Sequence, residues 1–564
     1  MNKSTFEEYL DTTSEIGFVE ESLESLAYVS GLPGLVPQEL VLFESGELGQ
    51  ATYLMEDKAE IFVFGKYPID VSTRVVRTKK QLEVPVGTEY LGELIDPFGN
   101  PLDKRKSFKR PELTRPIHNL APGISQRQKI DTVFETGVSL VDMLIPLGKG
   151  QRELIIGDRK TGKTNFLLQT IRNQAKKGII CIYAAVGKKK HDVKLAEDYF
   201  KQTNVMGNVI IMSAFVESPA STIFISPYAA MTMAEYFKDQ GKDVLLVLDD
   251  LNTHAKFYRE ISLLGKRFPG RNAYPADIFY THARLLERAG NFKRSPTKNQ
   301  KQPQETSDSV SITCLPVCET VQGDITGYIQ TNIMSMTDGH IYFDIDLFAR
   351  GRRPAINPFI SVTRVGRQTQ TDLRRTINRE LISFLTLLEK IENFAHFGAE
   401  TSSTIKNTLA TGDAITSFFD QTSEIILSED LQTFMFTLIW FGVWRGKSID
   451  VMKADMAKIM AYYEANDSYR NEIAKSIEGA KSLNSYLTVI GQRYQELLKM
   501  AGVNMSETPS PQQVSSNQPP TPKPNQQPQP AQTTQTPTNQ PNESSPSQIA
   551  NQQVNQNDTE GKEE

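Results

Sequence analysis

The stretch Glu153-Leu154-Ile155-Ile156-Gly157-Asp158-Arg159-Lys160-Thr161-Gly162-Lys163-Thr164 constrains this chain more than any other. A short apolar run ends in a glycine, and Gly157 to Thr164 satisfy the pattern G-x-x-x-x-G-K-T. Phe166, Leu167, Leu168 and Ile171 then recur at helical spacing, so the motif falls where a strand turns into a helix. A phosphate-binding loop requires that context. Backbone N–H groups of the loop and of the helix N-terminus converge on phosphate oxygens. Lys163 is placed to reach the terminal phosphates and the Thr164 hydroxyl to ligate Mg²⁺. The alternative, a chance glycine-rich turn, leaves the flanking pattern unexplained. The expected ligand is a nucleoside triphosphate.

A second buried strand, Val244 to Leu248, ends in the carboxylates Asp249 and Asp250. In a P-loop protein such a strand is expected beside the loop, with an acidic residue holding Mg²⁺ through water. A strand-terminal Asp often serves only as a helix N-cap, but here loop and strand occur together.

Around these motifs the chain divides by pattern. Residues 1–23 are polar and acidic without a clear period and are read as an N-terminal extension. Residues 24–90 hold short alternating runs such as Glu60-Ile61-Phe62-Val63-Phe64 between Gly/Pro turns, the mark of a small all-β unit. From 91 to 370 apolar strands alternate with helical segments, which predicts an α/β domain with a buried, mostly parallel sheet. Residues 371–502 turn helical, with Leu373, Ile377, Leu381, Phe384 and Leu388 along one face. Residues 503–564, rich in Gln, Pro, Asn, Ser and Thr, bury too little apolar surface to offset ordering entropy and are expected to be disordered.

Composition removes several functions. A net charge of −5 carries no polyanion-binding signature, so no nucleic-acid partner is expected. Three cysteines, Cys181, Cys314 and Cys318, make no disulfide framework and suit a reducing cytoplasm, the thiols being buried and inert. The N-terminus has no apolar core of a secretory signal. The most apolar stretch, Phe434 to Trp444, is too short for a bilayer and reads as a buried helix. No histidine spacing binds metal, and no Ser-His-Asp context is visible.

Six segments, in order, resemble the alpha subunit of the F-type ATP synthase head. They are VPVGTEYLGELIDPFGNPLD from Val84, FETGVSLVDMLIPLGKGQ from Phe134, GQRELIIGDRKTGKT from Gly150 and LLVLDDLNTHAKFYREISLL from Leu245. FPGRNAYPADIFYTHARLLERAG from Phe268 and RPAINPFISVTRVG from Arg353 complete the set. The resemblance implies a small N-terminal β-barrel, a central RecA-like α/β P-loop domain, a C-terminal helical domain and a nucleotide site for ATP or ADP with Mg²⁺. It implies an alternating hetero-hexamer with catalytic beta-like subunits around a central shaft, in the cytoplasm at the inner face of the membrane. Asp249 matches the family's Mg²⁺-associated acid, and Gly157, Asp158, Arg159, Lys160, Thr161, Gly162, Lys163 and Thr164 match its phosphate loop. Phe348, Arg353, Pro354 and Gln421 fall where the family lines the base. Arg364, in Ser361-Val362-Thr363-Arg364-Val365-Gly366, falls where the alpha subunit carries an arginine that projects into the neighbouring catalytic site.

Several departures set this chain apart. Catalytic beta subunits orient the attacking water with a glutamate, for which alpha subunits carry glutamine; Lys188, within Lys188-Lys189-Lys190, stands there here. A lysine cannot act as the carboxylate base, so the chain's own site is expected to hydrolyse poorly, and its holding ATP, ADP or neither stays open. A polar insertion occupies 293–309, and the N-terminus lacks an evident basic amphipathic helix. These features, with the tail as a possible arm for membrane- or cytoskeleton-linked partners, resemble the duplicated F-type-like ATPases of mycoplasmas, some of which serve gliding. The alternatives are an orthodox alpha subunit of a divergent bacterium, a self-sufficient homohexameric ATPase or translocase, and a structural pseudoenzyme.

Overall fold

The computed structural model describes residues 3–103, 108–294, 309–395 and 403–503. Most of the 293–309 insertion and nearly all of the 503–564 tail lie outside those residues.

Six strands close into an antiparallel barrel in the order β1-β2-β5-β4-β3-β6: β1 (Ile16–Leu23), β2 (Leu26–Ser30), β3 (Glu39–Phe43), β4 (Leu48–Leu54), β5 (Ala59–Val63) and β6 (Arg74–Gln81). Inward residues such as Val19, Val29, Val41, Ala51, Ile61 and Val75 fill it. The sequence division at residue 24 left β1 outside the barrel, yet β1 pairs with both β2 and β6. Its burial alternates only over Ile16 to Glu20, too few positions for the period to stand out among the acidic residues. The segment read as patternless also holds a helix, α1 (Lys3–Thr13), which buries Phe6 against Leu42 and Val76. Arg74 lies over the Phe6 ring, 5.3 Å from its centroid, and gives the helix a second anchor.

Short strands lead onward: β7 (Glu83–Pro85) pairs with β9 (Thr114–Pro116), β8 (Leu94–Ile95) joins the central sheet, and β10 (Val133–Phe134) pairs with β11 (Leu147–Gly148). The central sheet then collects β12 (Glu153–Gly157), β13 (Ile180–Lys188), β14 (Val209–Phe215), β15 (Val244–Asp249), β16 (Gly290–Lys293), β17 (Ser309–Glu319), β18 (Gly339–Phe343) and β19 (Val362–Thr363). Its order is β19-β18-β12-β17-β15-β13-β14-β8, with β16 paired to β17. All neighbours along that path are parallel except β18–β19, which is antiparallel as is β16–β17. The strands are near-continuous apolar runs because both faces are covered, as parallel sheets require. The helices α2 (Ser139–Leu144), α3 (Lys163–Lys176), α4 (Lys190–Gln202), α5 (Ala220–Asp239), α6 (Leu251–Leu264), α7 (Ile278–Leu286), α8 (Tyr328–Met336) and α9 (Ile345–Ala349) lie between the strands in sequence.

The barrel is tied to this domain by the buried Glu60, which pairs with Arg267, and by Tyr28, whose hydroxyl donates to Gly265 O at 3.1 Å. On the other side six helices follow: α10 (Asp372–Ala395), α11 (Ser403–Phe419), α12 (Glu429–Phe441), α13 (Ile449–Ala465), α14 (Asp467–Ile477) and α15 (Leu483–Met500). Leu373, Ile377, Leu381, Phe384 and Leu388 of α10 are all buried, each worth about 2 kcal/mol in apolar surface removed from water. The apolar stretch from Phe434 forms α12 and its end, inside the same core. Among the described residues no helix is long and apolar enough to cross a membrane. The seam between the two domains is α2: its buried Asp142 accepts from Thr136 N, Gly137 N and Gln432 Nε2 at 2.7 to 2.9 Å.

Candidate functional site

The phosphate loop leaves the C-terminal end of β12, which lies between β18 and β17 in the sheet, and enters α3. Ligands of open α/β sheets collect at this edge. Gly157 allows the close approach of β12 to β18, since a Cβ there would fall 2.3 Å from Phe343 O. Gly162 caps α3 with a left-handed conformation, φ 98°. Within the loop Thr161 Oγ1 donates to Asp158 O at 2.7 Å, and the Asp158 carboxylate accepts from Thr320 Oγ1 and from Gly323 N at 3.0 Å. Arg159 is drawn sideways into an ion pair with Glu319 at 2.8 Å. Asp158, Arg159 and Thr161 therefore hold the loop's shape with their side chains, leaving phosphate contact to backbone N–H groups. Lys160 is exposed with φ 63°, and Thr164 is exposed in the first turn of α3.

Lys163 is buried, and its Nζ donates to Gly157 O at 2.8 Å and to Asp158 O. Burial pushes its ammonium below the ordinary lysine value, against the pull of Glu319, Asp249 and Asp250. A cation supported mainly by carbonyls, close to the anion-binding turn, is poised to accept phosphate charge.

The acidic strand β15 ends on the same side of the sheet as the loop, with β17 inserted between it and β12. Glu319, at the end of β17, therefore stands between the loop and Asp249. Its signal was a second apolar run ending in a carboxylate, Ser309 to Glu319, which the sequence reading did not use. Asp249 Oδ2 accepts from Tyr183 OH at 2.8 Å, and Asp249 Oδ1 lies 2.8 Å from Lys188 Nζ. Asp250 Oδ2 is 3.2 Å from the same Nζ, while its Oδ1 accepts from Thr253 N at 2.6 Å and caps α6. Both carboxylates are almost fully buried.

A β-bulge brings Lys188 there. The register of β13 against β14 jumps between Val186 and Lys188, and Gly187, the extra residue, has φ 64°. A bulge re-aims the following side chain, and Lys188 turns inward onto the two aspartates. Burial alone would lower its ammonium, but Asp249 and Asp250 outweigh it and hold the group above the ordinary lysine value. Of the three consecutive lysines Lys188 alone turns inward; Lys189 is exposed, and Lys190 pairs with Glu217 at 2.6 Å.

The donor set suits a phosphate chain better than it suits Mg²⁺. The loop, Lys163 and the α3 N-terminus form an anion cradle, and the Thr164 hydroxyl is accessible. Both oxygens of Asp249, however, already receive donors, one of them a full positive charge.

Phe348, Arg353 and Pro354 come together near α9. The Arg353 guanidinium stacks on Phe348, 3.7 Å from the ring centroid, and Arg353 N donates to Asp420 Oδ1 at 2.7 Å. A cavity of about 450 Å³ opens beside Arg353 and Pro354, but it is walled by Leu140, Leu385, Glu389 and Phe419 and shares no residue with the phosphate loop. Gln421 reaches this group only through its main chain, which donates to Arg353 O at 2.7 Å. Its buried side chain accepts from Ser139 N and donates to Gly137 O and Ile425 O, so it fastens α2 to the helical domain.

Arg364 lies at the opposite edge of the sheet. Its backbone N donates to Asp338 O, just before β18, whereas Phe343 at the far end of β18 pairs with Gly157. Five residues of strand separate the two levels, about 16 Å at the usual rise, which puts the chain's own phosphate loop beyond an arginine side chain. Arg364 is exposed, and among the described residues no ion pair holds its guanidinium. Phe359, Ile360 and Val362, the large apolar residues just before it, are also exposed.

The model of the ATP synthase alpha/beta family nucleotide-binding domain matches residues 137–363. ATP synthase subunit alpha of Macrococcus caseolyticus is 38% identical over 459 residues, covering 81% of this chain and 88% of that one. The subunit alpha of Lactobacillus delbrueckii subsp. bulgaricus is 36% identical over 467 residues, 82% of this chain and 90% of its own. That of Staphylococcus aureus is 37% identical over 448 residues, 79% and 86% respectively.

Proposed function

This chain belongs to the family of ATP synthase alpha subunits, and we propose that it is the non-catalytic, nucleotide-binding member of a hexameric F-type rotary ATPase. In this reading it alternates with catalytic beta-type subunits around a central shaft, at the inner face of the cell membrane. Its own site holds ATP or ADP, and Arg364 completes the neighbour's site. The observation that carries the reading is the placement of Arg364, exposed, without an ion pair among the described residues and at the sheet edge remote from the chain's own loop. A guanidinium so placed can neutralise charge on the equatorial oxygens of a phosphoryl group held by another subunit. Lys188 supports the non-catalytic half of the proposal, since an ammonium locked onto two aspartates cannot take a proton from water.

The test is nucleotide binding and phosphate release on the isolated full-length chain. Binding with negligible release is expected; turnover near ~10 s⁻¹, the scale of a competent enzyme, would overturn the assignment.

Lys188, the 293–309 insertion and the Gln/Pro/Asn-rich tail favour a specialised motor over an orthodox alpha subunit. We read it as one of the duplicated mycoplasma-type ATPases, its tail joined to a membrane- or cytoskeleton-linked partner. A beta-type gene beside this one, without proton-channel genes, is the expected neighbourhood. A complete operon with those channel genes restores the orthodox reading.

A further inference from the structure

We propose that Lys188 is the built-in cation of this nucleotide site, so that the chain binds the phosphates of ATP and ADP without needing a divalent metal. The inference rests on the reading above that the P-loop holds nucleotide, and it adds how that site is regulated by metal.

The argument begins with the oxygens. Four carboxylate oxygens belong to Asp249 and Asp250, and each has a donor within the chain: Tyr183 OH, Thr253 N and, twice, Lys188 Nζ. Mg²⁺ demands near-octahedral oxygen ligation and keeps several waters, which in a P-loop site are steadied by the acidic residue. Here the Asp249 oxygen not held by Tyr183 carries an ammonium 2.8 Å away. A metal-bound water would compete with that contact, and the metal would face a like charge across the same carboxylate.

Lys188 is not a surface side chain that can swing aside at little cost. The Gly187 bulge aims it, only 21% of its side chain is exposed, and releasing it would leave two buried carboxylates without their cation. A lysine ammonium is a compact charge with three N–H donors. Two meet Asp249 and Asp250, which leaves one for a phosphate oxygen. Lys188 ends β13 on the side of the sheet where β12 runs into the phosphate loop, and it is near enough to Lys163 to act on its ammonium electrostatically. The lysine that removes the catalytic carboxylate thereby takes over the charge-neutralising part of the metal.

The experiment is calorimetric titration of the isolated full-length chain with ATP and with ADP, in MgCl₂ and in EDTA, repeated on Lys188→Gln and Lys188→Arg. The wild type should bind with dissociation constants within about threefold of each other in the two buffers. Lys188→Gln should bind at least roughly tenfold more weakly in EDTA than in MgCl₂, because Asp249 Oδ1 is freed for a metal-bound water. Lys188→Arg, which keeps the charge, should retain metal independence and shows that the site tolerates substitution. Wild-type binding seen only with MgCl₂ overturns the inference and leaves the nucleotide-binding reading standing. Equal binding by Lys188→Gln in both buffers overturns the role of this lysine. Absence of wild-type binding in both buffers overturns the nucleotide-binding reading itself.

Discussion

At the C-terminal ends of the parallel strands, Arg159 and Lys188 are paired with carboxylates and Lys163 is held by two carbonyls of its own loop. Across the sheet, level with the start of β12, Arg364 stands exposed without an ion pair among the described residues. The contrast separates two ways of using a cation near phosphate. A charge satisfied within its own chain can hold a ligand, but it resists the reorganisation that chemistry demands. An unpaired charge at a surface adds little to the chain that carries it and is free to act on a neighbour. Both patterns fit a subunit that keeps one nucleotide and acts on another.

The hardest test of this contrast is Arg364→Ala in a complex reconstituted with catalytic subunits. ATP hydrolysis should fall by about 10³-fold or more, the scale at which an arginine finger acts. Nucleotide binding by the altered chain itself should stay within about twofold, since the loop is about 16 Å away along β18. If its own binding fell in step with the rate, the two edges would not be independent, and the separation argued from strand register would be wrong.

Lys163→Ala should do the reverse, with a smaller effect. Losing a charge-assisted contact to phosphate should weaken the chain's own nucleotide binding by roughly 100-fold. The initial hydrolysis rate of the complex should remain within about threefold, because the neighbour keeps its own loop and still receives Arg364. Bound nucleotide and initial rate, measured on the same preparation, decide it. An initial rate as low as that of Arg364→Ala would place part of the chemistry in this chain.

The two edges differed equally in how far the sequence revealed them. The phosphate loop was legible because strand, glycines, lysine and helix are contiguous, and local spacing fixes their geometry. The buried face of α10 was legible for the same reason. Lys188 was visible as a substitution, but its contact with Asp249 depends on one extra residue in β13 and on the pairing of β13 with β15. The insertion of β17 between β12 and β15 is a fact of sheet order that no local pattern carries. The partners of Gln421 were not legible, because an amide offers no sign of which groups it satisfies. The remoteness of Arg364 from Lys163 likewise arises from sheet register alone. Only the family resemblance pointed Arg364 outward, and the register now supplies a physical reason for that direction.

The smallest expected effect concerns Glu153, at the start of β12 beneath the Arg364 edge. Its carboxyl is fully buried; Oε2 accepts from Gln151 Nε2 at 2.7 Å, and Oε1 has no hydrogen-bond partner among the described residues. Burial raises its pKa well above the ordinary glutamate value, the Gln151 contact opposes this, Asp338 adds to it, and Arg364 draws it down. Because the folded-state value lies above the unfolded one, the folded chain holds the extra proton over the interval between them. The stabilisation is complete below the unfolded value and is lost as pH rises towards the folded one, at about 1.4 kcal/mol for each pH unit crossed. Glu153→Gln cannot ionise and removes that slope. Denaturant midpoints of variant and wild type, compared at about pH 5 and about pH 8, should therefore shift in the variant's favour at the higher pH. Adding Arg364→Ala to the otherwise wild-type chain should carry that loss on to higher pH, because it removes the charge that favours the Glu153 carboxylate. If the midpoints of wild type and variant run parallel across that range, Glu153 keeps its ordinary value in the fold. The charge of Arg364, with the Gln151 contact, would then offset burial in full, and the edge would be electrostatically coupled to the strand that leads to the phosphate loop.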